Sequence, residues 1–401
     1  MKRLNAAFVL ILPAITFFYA CNNTQAKRRT NATTTQEEDT TYKINLTAEQ
    51  RTAILNAPKT RVMQEELTNF FNKKLVPSGF SGAMLVAKKG VVIFEGSHGF
   101  ENYQAKTKMV DTSTFQLAST SKTFTGVAVL KLVDEKKVNL DDSIQTYLPT
   151  VPYKGITVRM LLNHRSGLPN YLYFTEKYWK DRTKLMTNDD VIALMAQYKP
   201  QIQSLPNTRF TYCNTNYILL ASIIEKASGM KYADFMQQEI FNPLGLTRTY
   251  VFVPGQAARS HQTTSHQFNG RPAADDAFDG AMGDKGIYSC VQDMLKWDQA
   301  LYSGRFLSDE ILKEAFTPYS NEKRGTKNYG LGFRLMVFPD STKIVYHNGW
   351  WHGNNTVFYR FIQDSTTLVI LGNKYNRNIY HSVKPIREII GEGLELEAGE
   401  D

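Results

Sequence analysis

Apolar positions change their spacing along the chain, and each change marks an element. Met63, Leu67, Phe70 and Phe71 recur at helical spacing and predict a helix over about 60–74. Residues 83–87 and 91–95 read as strands, and Lys88-Lys89-Gly90 between them, with glycine at the turn, predicts a hairpin. From Ser119 the period returns to helical through Val127, Leu130 and Val133, predicting a helix to about Glu135 that ends in Lys136-Lys137. Residues 155–280 carry helical patterns and long loops with little strand signal. Ser289 and Gln292 stand at capping-box spacing and predict a helix running to about Tyr302. Strands follow at about 332–337, 343–347, 356–362 and 367–371, then an amphipathic helix at about 383–396. Strands at both ends with helices between predict an α+β fold. Its antiparallel sheet would be built from N- and C-terminal segments and flanked by helices, with a mostly helical insertion over about 135–285.

The ends change the picture. Lys2 and Arg3, an apolar stretch from Ala6 to Ala20, and Cys21 directly after it read as an export signal (1–20). The stretch is too short, and broken by Pro13, for a membrane span of about 20 apolar residues. Phe18-Tyr19-Ala20-Cys21 reads as a loose lipobox that would leave Cys21 lipidated, so the expected partner is a membrane facing the periplasm or cell exterior. Residues 22–46 are polar and poor in large apolar side chains, a tether rather than a folded segment. What remains, 47–401, suits one large domain or two interleaved subdomains. Losing Lys2 and Arg3 with the signal lowers the formal charge from +9 to +7. No basic run with interleaved aromatics points to nucleic acid. Cys213 and Cys290 are expected to be buried free thiols, and nothing in the sequence bears on oligomeric state. His261 and His266 sit in a polar loop without zinc spacing, so neither a metal nor an organic cofactor is expected.

Candidate chemistry lies in three strings: Ser119-Thr120-Ser121-Lys122, Tyr212-Cys213-Asn214 and His347-Asn348-Gly349. Ser-x-x-Lys recurs at Ser228/Lys231 and Ser320/Lys323, and Tyr-x-Asn at Tyr319/Asn321. Ser228 precedes Gly229 at a helix end, and Tyr319 to Lys323 read as a charged exposed loop. Ser119 alone opens an apolar helix. Lys122, one turn later, shares its face and can take the hydroxyl proton that makes serine a nucleophile. A free lysine is protonated at neutral pH, so this role needs desolvation or neighbouring cations. The blander reading is a helix cap beside a solvated lysine. In an extended segment Tyr212 and Asn214 would share one face and Cys213 the other; otherwise Tyr212 is a core aromatic and Asn214 a helix cap. Gly349 permits close backbone approach; otherwise His347 ends an edge strand before a turn at Asn348-Gly349. Of the adjacent Trp350 and Trp351, one is expected to line a cleft and the other to pack in the core. Tyr171, Tyr173 and Phe174 are candidates for its opposite wall.

In order and surroundings the three strings resemble the penicillin-recognising serine hydrolases: β-lactamases, DD-peptidases and related esterases. Further similar stretches are Val138 to Asp142, Leu161 to Pro169, Asn242 to Leu246 and Tyr329 to Gly332, so the likeness spans roughly 75–390. The resemblance implies a β-lactamase/DD-peptidase-like fold with the site between sheet and helical region. It implies that Tyr212 shuttles a proton, that Asn214 orients a substrate amide, and that the amides of Ser119 and Trp350 form an oxyanion hole. His347 departs from the family's usual lysine. A cationic His347 would hold a substrate carboxylate only at low pH, so KM for such a substrate is expected to rise between about pH 5.5 and 8. The expected function is an exported serine hydrolase forming an acyl-Ser119 intermediate on D-amino-acid peptides of cell-wall type. Alternatives are a β-lactamase or small-ester hydrolase with the same residues, and a sensor that acylates without turnover.

Overall fold

The computed structural model describes residues 46–391 apart from 303 and 305; the expected signal, Cys21 and nearly all of the tether lie outside the described residues. Among those described, no helix is long and apolar enough to cross a membrane.

Helix α1 (Ala48–Asn56) opens on a Thr47/Gln50 capping box, and α2 (Pro58–Phe70) buries Met63 and Leu67 before a π-helical turn over Phe71–Leu75. Strands β1 (Gly82–Lys88) and β2 (Val91–His98) follow. Their turn places Lys89 at φ 50° and Gly90 at φ 72°, the pair of left-handed residues that a tight hairpin needs. After the short β3 (Phe100–Asn102), β4 (Thr107–Lys108) and β5 (Phe115–Gln116), the chain enters α3 (Ser121–Asp134). The insertion is helical, with α4 (Val158–Leu162), α5 (Tyr171–Tyr178), α6 (Asn188–Tyr198), α7 (Thr215–Ser228) and α8 (Tyr232–Phe235). Then come β6 (Tyr250–Val251), β7 (Ile287–Ser289), α9 (Val291–Ala300) and α10 (Asp309–Ala315). Strands β8 (Lys327–Tyr329), β9 (Arg334–Val337), β10 (Lys343–Trp351), β11 (Asn354–Phe361) and β12 (Thr366–Gly372) precede α11 (Asn378–His381) and α12 (Val383–Ile390).

Seven strands form one antiparallel sheet in the order β2-β1-β12-β11-β10-β9-β8, so the chain's two ends meet where β1 pairs with β12. Side chains on these strands alternate between two cores. Leu85 and Leu371 face α3, α7 and α9 with Phe124, Val127 and Trp297, whereas Met84 and Ile370 face α2 and α12 with Leu67 and Ile386. Burial on both faces explains why β1 and β12 read as continuous apolar runs. Helix α9 is fastened to the sheet by an ion pair with no solvent exposure. Arg360 of β11 donates to Asp298 Oδ1 (2.6 Å), while Thr367 (2.5 Å) and Gln299 (2.6 Å) donate to Oδ2.

Several expectations need correction. The strand foreseen at 343–347 runs on to Trp351, because β11 pairs with it through Trp351↔Asn354. The Ser289/Gln292 capping box does not form: α9 is capped at Cys290 without a side-chain bond, and Gln292 donates instead to Asp111 O (3.0 Å) and Glu95. The last helix stops at Ile390 because Gly391 turns left-handed at φ 82°. The three-stranded sheet β5-β7-β6 was not foreseen, since strands of two or three residues carry no readable period.

Candidate active site

Ser119 sits in a tight 3-10 turn, Ala118–Thr120, between β5 and α3. Ala118 before it holds φ 49°, a left-handed backbone that a residue with a Cβ adopts at some cost. Packing holds it there: Leu117 and Ala118 are fully buried, and Leu117 N–H donates to Ile287 O (2.8 Å). Thr356 of β11 donates to Leu117 O (2.9 Å) and lies 2.9 Å from the Thr120 hydroxyl, which ties the turn to the main sheet.

Lys122 follows one helical turn later and is fully buried. Its Nζ donates to Ser119 Oγ (3.1 Å) and to the Asp284 carbonyl (2.8 Å), both neutral oxygens. The rings of Tyr212 and Tyr217 stand 5.2 and 5.6 Å from it.

Tyr212 and Asn214 line the same cavity as Ser119, and Cys213 turns inward, where its Sγ donates to Leu168 O (3.3 Å). Burial pushes the thiols of Cys213 and Cys290 up to about 11, and both are free. Asn214 occupies the N-cap position of α7, yet its side chain makes no capping bond and faces the cavity. Behind Tyr212 lies a residue to which the sequence reading gave no role. His164 packs 4.3 Å from the Tyr212 ring, and its Nδ1 accepts from the Cys213 N–H (3.2 Å). Complete burial, with Lys122, His347 and Arg334 nearby, holds His164 well below its ordinary pKa.

The third string lies inside β10, not at its end. Strand β9 pairs with β10 only over 343–346, so from His347 onward the edge opposite β11 carries no strand. Gly349 lies against the serine turn: a Cβ there would fall 2.4 Å from Leu117 O and 3.0 Å from the Ser119 nitrogen, so no side chain fits. His347 overturns an expectation. Its ring is fully buried and absent from the cavity wall, with Nε2 3.2 Å from the Tyr329 hydroxyl and Nδ1 2.7 Å from Asn348 O. A carbonyl can only accept, so Nδ1 carries a proton. Burial, Arg334 and Lys122 hold its pKa well below the usual value. It cannot serve as the cation for a substrate carboxylate.

The cavity encloses about 520 Å³. Its rim is aromatic: Trp350 (62 % exposed) and Tyr173 (71 % exposed) flank the mouth, near Tyr375 and Tyr380. The two indoles do not divide cleanly, since both line the cavity. Trp350 stays at the rim, while Trp351 packs against the core and donates Nε1 to Asp279 Oδ1 (2.6 Å). Tyr171 lies behind the wall instead of on it, donating to Asp284 Oδ2 (3.0 Å) and accepting from Lys285 Nζ (2.7 Å); Leu172, not Phe174, reaches the cavity. Sequence reading also missed the charges on this wall. Lys285, Arg334 and Arg377 are cationic, and the single acid, Asp284, is buried and paired with Lys285 at 3.6 Å. The Asp284-Lys285 charge pair amid glycines was the one signal available for two of these residues.

The family profile described as Beta-lactamase matches residues 76–388. A penicillin-binding protein of Bacillus subtilis is 34% identical over 74% of this chain and 68% of its own length. A D-aminopeptidase of Brucella anthropi is 29% identical over 69% of this chain and 52% of its own. The crystal structure of a penicillin-binding protein from Bacillus halodurans superposes with a TM-score of 0.69 at 22% identity, over 79% of this chain and 99% of that one. A serine hydroxyl within reach of a buried lysine, at the meeting of sheet and helical insertion, thus recurs in a chain that matches the profile over most of its length. This protein belongs to the β-lactamase family and is a serine hydrolase of the β-lactamase/DD-peptidase type.

Proposed function

We propose that this enzyme is a DD-peptidase-like hydrolase that cleaves peptides ending in D-residues with a free carboxylate. The charge of the cavity wall carries this reading. Three cations against one acid, itself paired to Lys285, suit a carboxylate. An aminopeptidase needs an acid that can receive a substrate ammonium, and Asp284 is buried, with Tyr171 on Oδ2 and Lys285 Nζ 3.6 Å from Oδ1. Arg377, exposed at the mouth, is the cation proposed to take the role that His347 cannot.

Ser119 is the nucleophile. With Lys122 Nζ as the free amine, the Ser119 proton passes to it across the 3.1 Å hydrogen bond as Oγ attacks the scissile carbonyl. The amides of Ser119 and Trp350 receive the oxyanion, each donor worth roughly 3 kcal/mol in such sites. The Tyr212 hydroxyl relays the proton to the leaving amine, and Asn214 orients the substrate amide. Water then attacks the acyl-Ser119 ester and regenerates the serine. Lys2, Arg3, the apolar stretch and Cys21 support placing the enzyme outside the cytoplasm on a lipid anchor.

The test joins two measurements. Intact-mass analysis after exposure to penicillin is expected to show an adduct that Ser119→Ala abolishes. A peptide ending in two D-residues is expected to be cleaved at least tenfold faster as the free acid than as the C-terminal amide, and Arg377→Ala should erase that preference. Equal rates for acid and amide would overturn the carboxylate reading. Rapid, Ser119-dependent loss of penicillin without an adduct would instead identify a β-lactamase.

A further inference from the structure

A second cavity, of about 300 Å³, lies beside the catalytic one and is lined by polar groups that the proposed mechanism does not use. Asp275, Asp279 and His352 bring two carboxylate oxygens and an imidazole nitrogen within 4.8 Å of one another. Gln116 lines the same cavity at 7 % exposure, and its Oε1 is buried without a hydrogen-bond partner. A buried amide oxygen left unmatched has lost its hydration without replacement, so it points to a group that supplies positive charge or a proton. Sequence spacing could not reveal the cluster, because His352 comes from the β10–β11 turn, 73 residues from Asp279.

We propose that Asp275, Asp279, His352 and Gln116 form a binding site for one divalent transition-metal ion of the zinc class. One imidazole among oxygen donors favours zinc over calcium or magnesium. His352 Nε2 lies 2.9 Å from Asp279 Oδ2, a contact that the ion would replace, and the exposed Asp275 would close on it, since ligands about 2.1 Å from such an ion stand at most ~4.2 Å apart. The surroundings are acidic: Asp276 adds a third carboxylate, and its Oδ1 accepts from the Phe278 N–H (2.7 Å).

The ion would stand where both edges of the catalytic cavity are anchored. Asp279 Oδ1 already holds the Trp351 indole of the cavity wall, and Gln116 lies three residues before Ser119. A metal here would brace the β10–β11 turn against the strand that leads into the serine turn.

The test is calorimetric titration of the full chain, stripped with chelator, with Zn²⁺ alone. One equivalent is expected to bind with Kd at or below the micromolar range. Asp275→Asn and His352→Gln should each weaken it at least tenfold, while His98→Gln, on the exposed edge of β2, should leave it unchanged. Asp275 is exposed, so its substitution spares the core and the result does not hinge on folding. No binding heat, or binding that survives both substitutions, would overturn the site.

Discussion

Among the described residues, the side chains of Arg360 and Lys122 are both fully buried, and their surroundings differ. Arg360 is matched by Asp298, whose second oxygen is satisfied by Thr367 and Gln299. Lys122 Nζ donates to the Ser119 hydroxyl and the Asp284 carbonyl, both neutral oxygens. A compensated charge fastens a helix to a sheet. A lysine amine with only neutral oxygens for partners, beside a nucleophile, can take part in proton transfer. Burial alone therefore does not mark a functional cation; the identity of its acceptors does.

Substitution at the two cations breaks the contrast most directly. Lys122→Met is expected to lower kcat by about 10⁴, roughly 5.5 kcal/mol of barrier, while Tm holds or rises, because a buried polar group without an acidic partner is replaced by an apolar chain of similar length. A kinetic assay with a matched thermal melt checks both halves; a large fall in Tm would make Lys122 a structural cation like Arg360. Asp298→Ala should do the reverse. Leaving Arg360 buried without its partner costs about 3–5 kcal/mol in chemical denaturation, while the folded fraction keeps its kcat.

The smallest effect concerns His347. Its pKa lies below that of the unfolded chain, so the unfolded state takes up a proton first as pH falls below about 6.5. The stability present above that pH is therefore lost on acidification. The facing groups are Lys122, Arg334 and the Tyr329 hydroxyl. His347→Gln is expected to lose less Tm between pH 7.5 and 5 than the wild type. KM for a carboxylate substrate should show no rise between pH 5.5 and 8 attributable to this ring, which reverses what the sequence suggested.

How much was legible depended on how far each feature reaches along the chain. The Lys89-Gly90 turn, the helix after Ser119 and the shared face of Tyr212 and Asn214 are local, and periodicity or turn chemistry reveals them. The charge state of His347 is not local. It follows from burial beneath Tyr329 and from Lys122 and Arg334, which other segments bring in. The Tyr171–Asp284–Lys285 network joins residues 113 and 114 positions apart, and no spacing rule finds it. The capping box failed for a related reason: a contact to Asp111, far away along the chain, claimed the Gln292 side chain.

The left-handed backbone of Ala118 carries a consequence for anyone seeking a hardier enzyme. Glycine takes φ 49° freely, whereas alanine there costs roughly 1 kcal/mol that the packing of Leu117 and Ala118 must offset. Relaxing this turn would ease the fold and at the same stroke release the hydroxyl next door from its fixed aim at the cavity. At this residue heat tolerance and turnover pull against each other, so a screen that selects for melting temperature alone would drift toward slower enzymes.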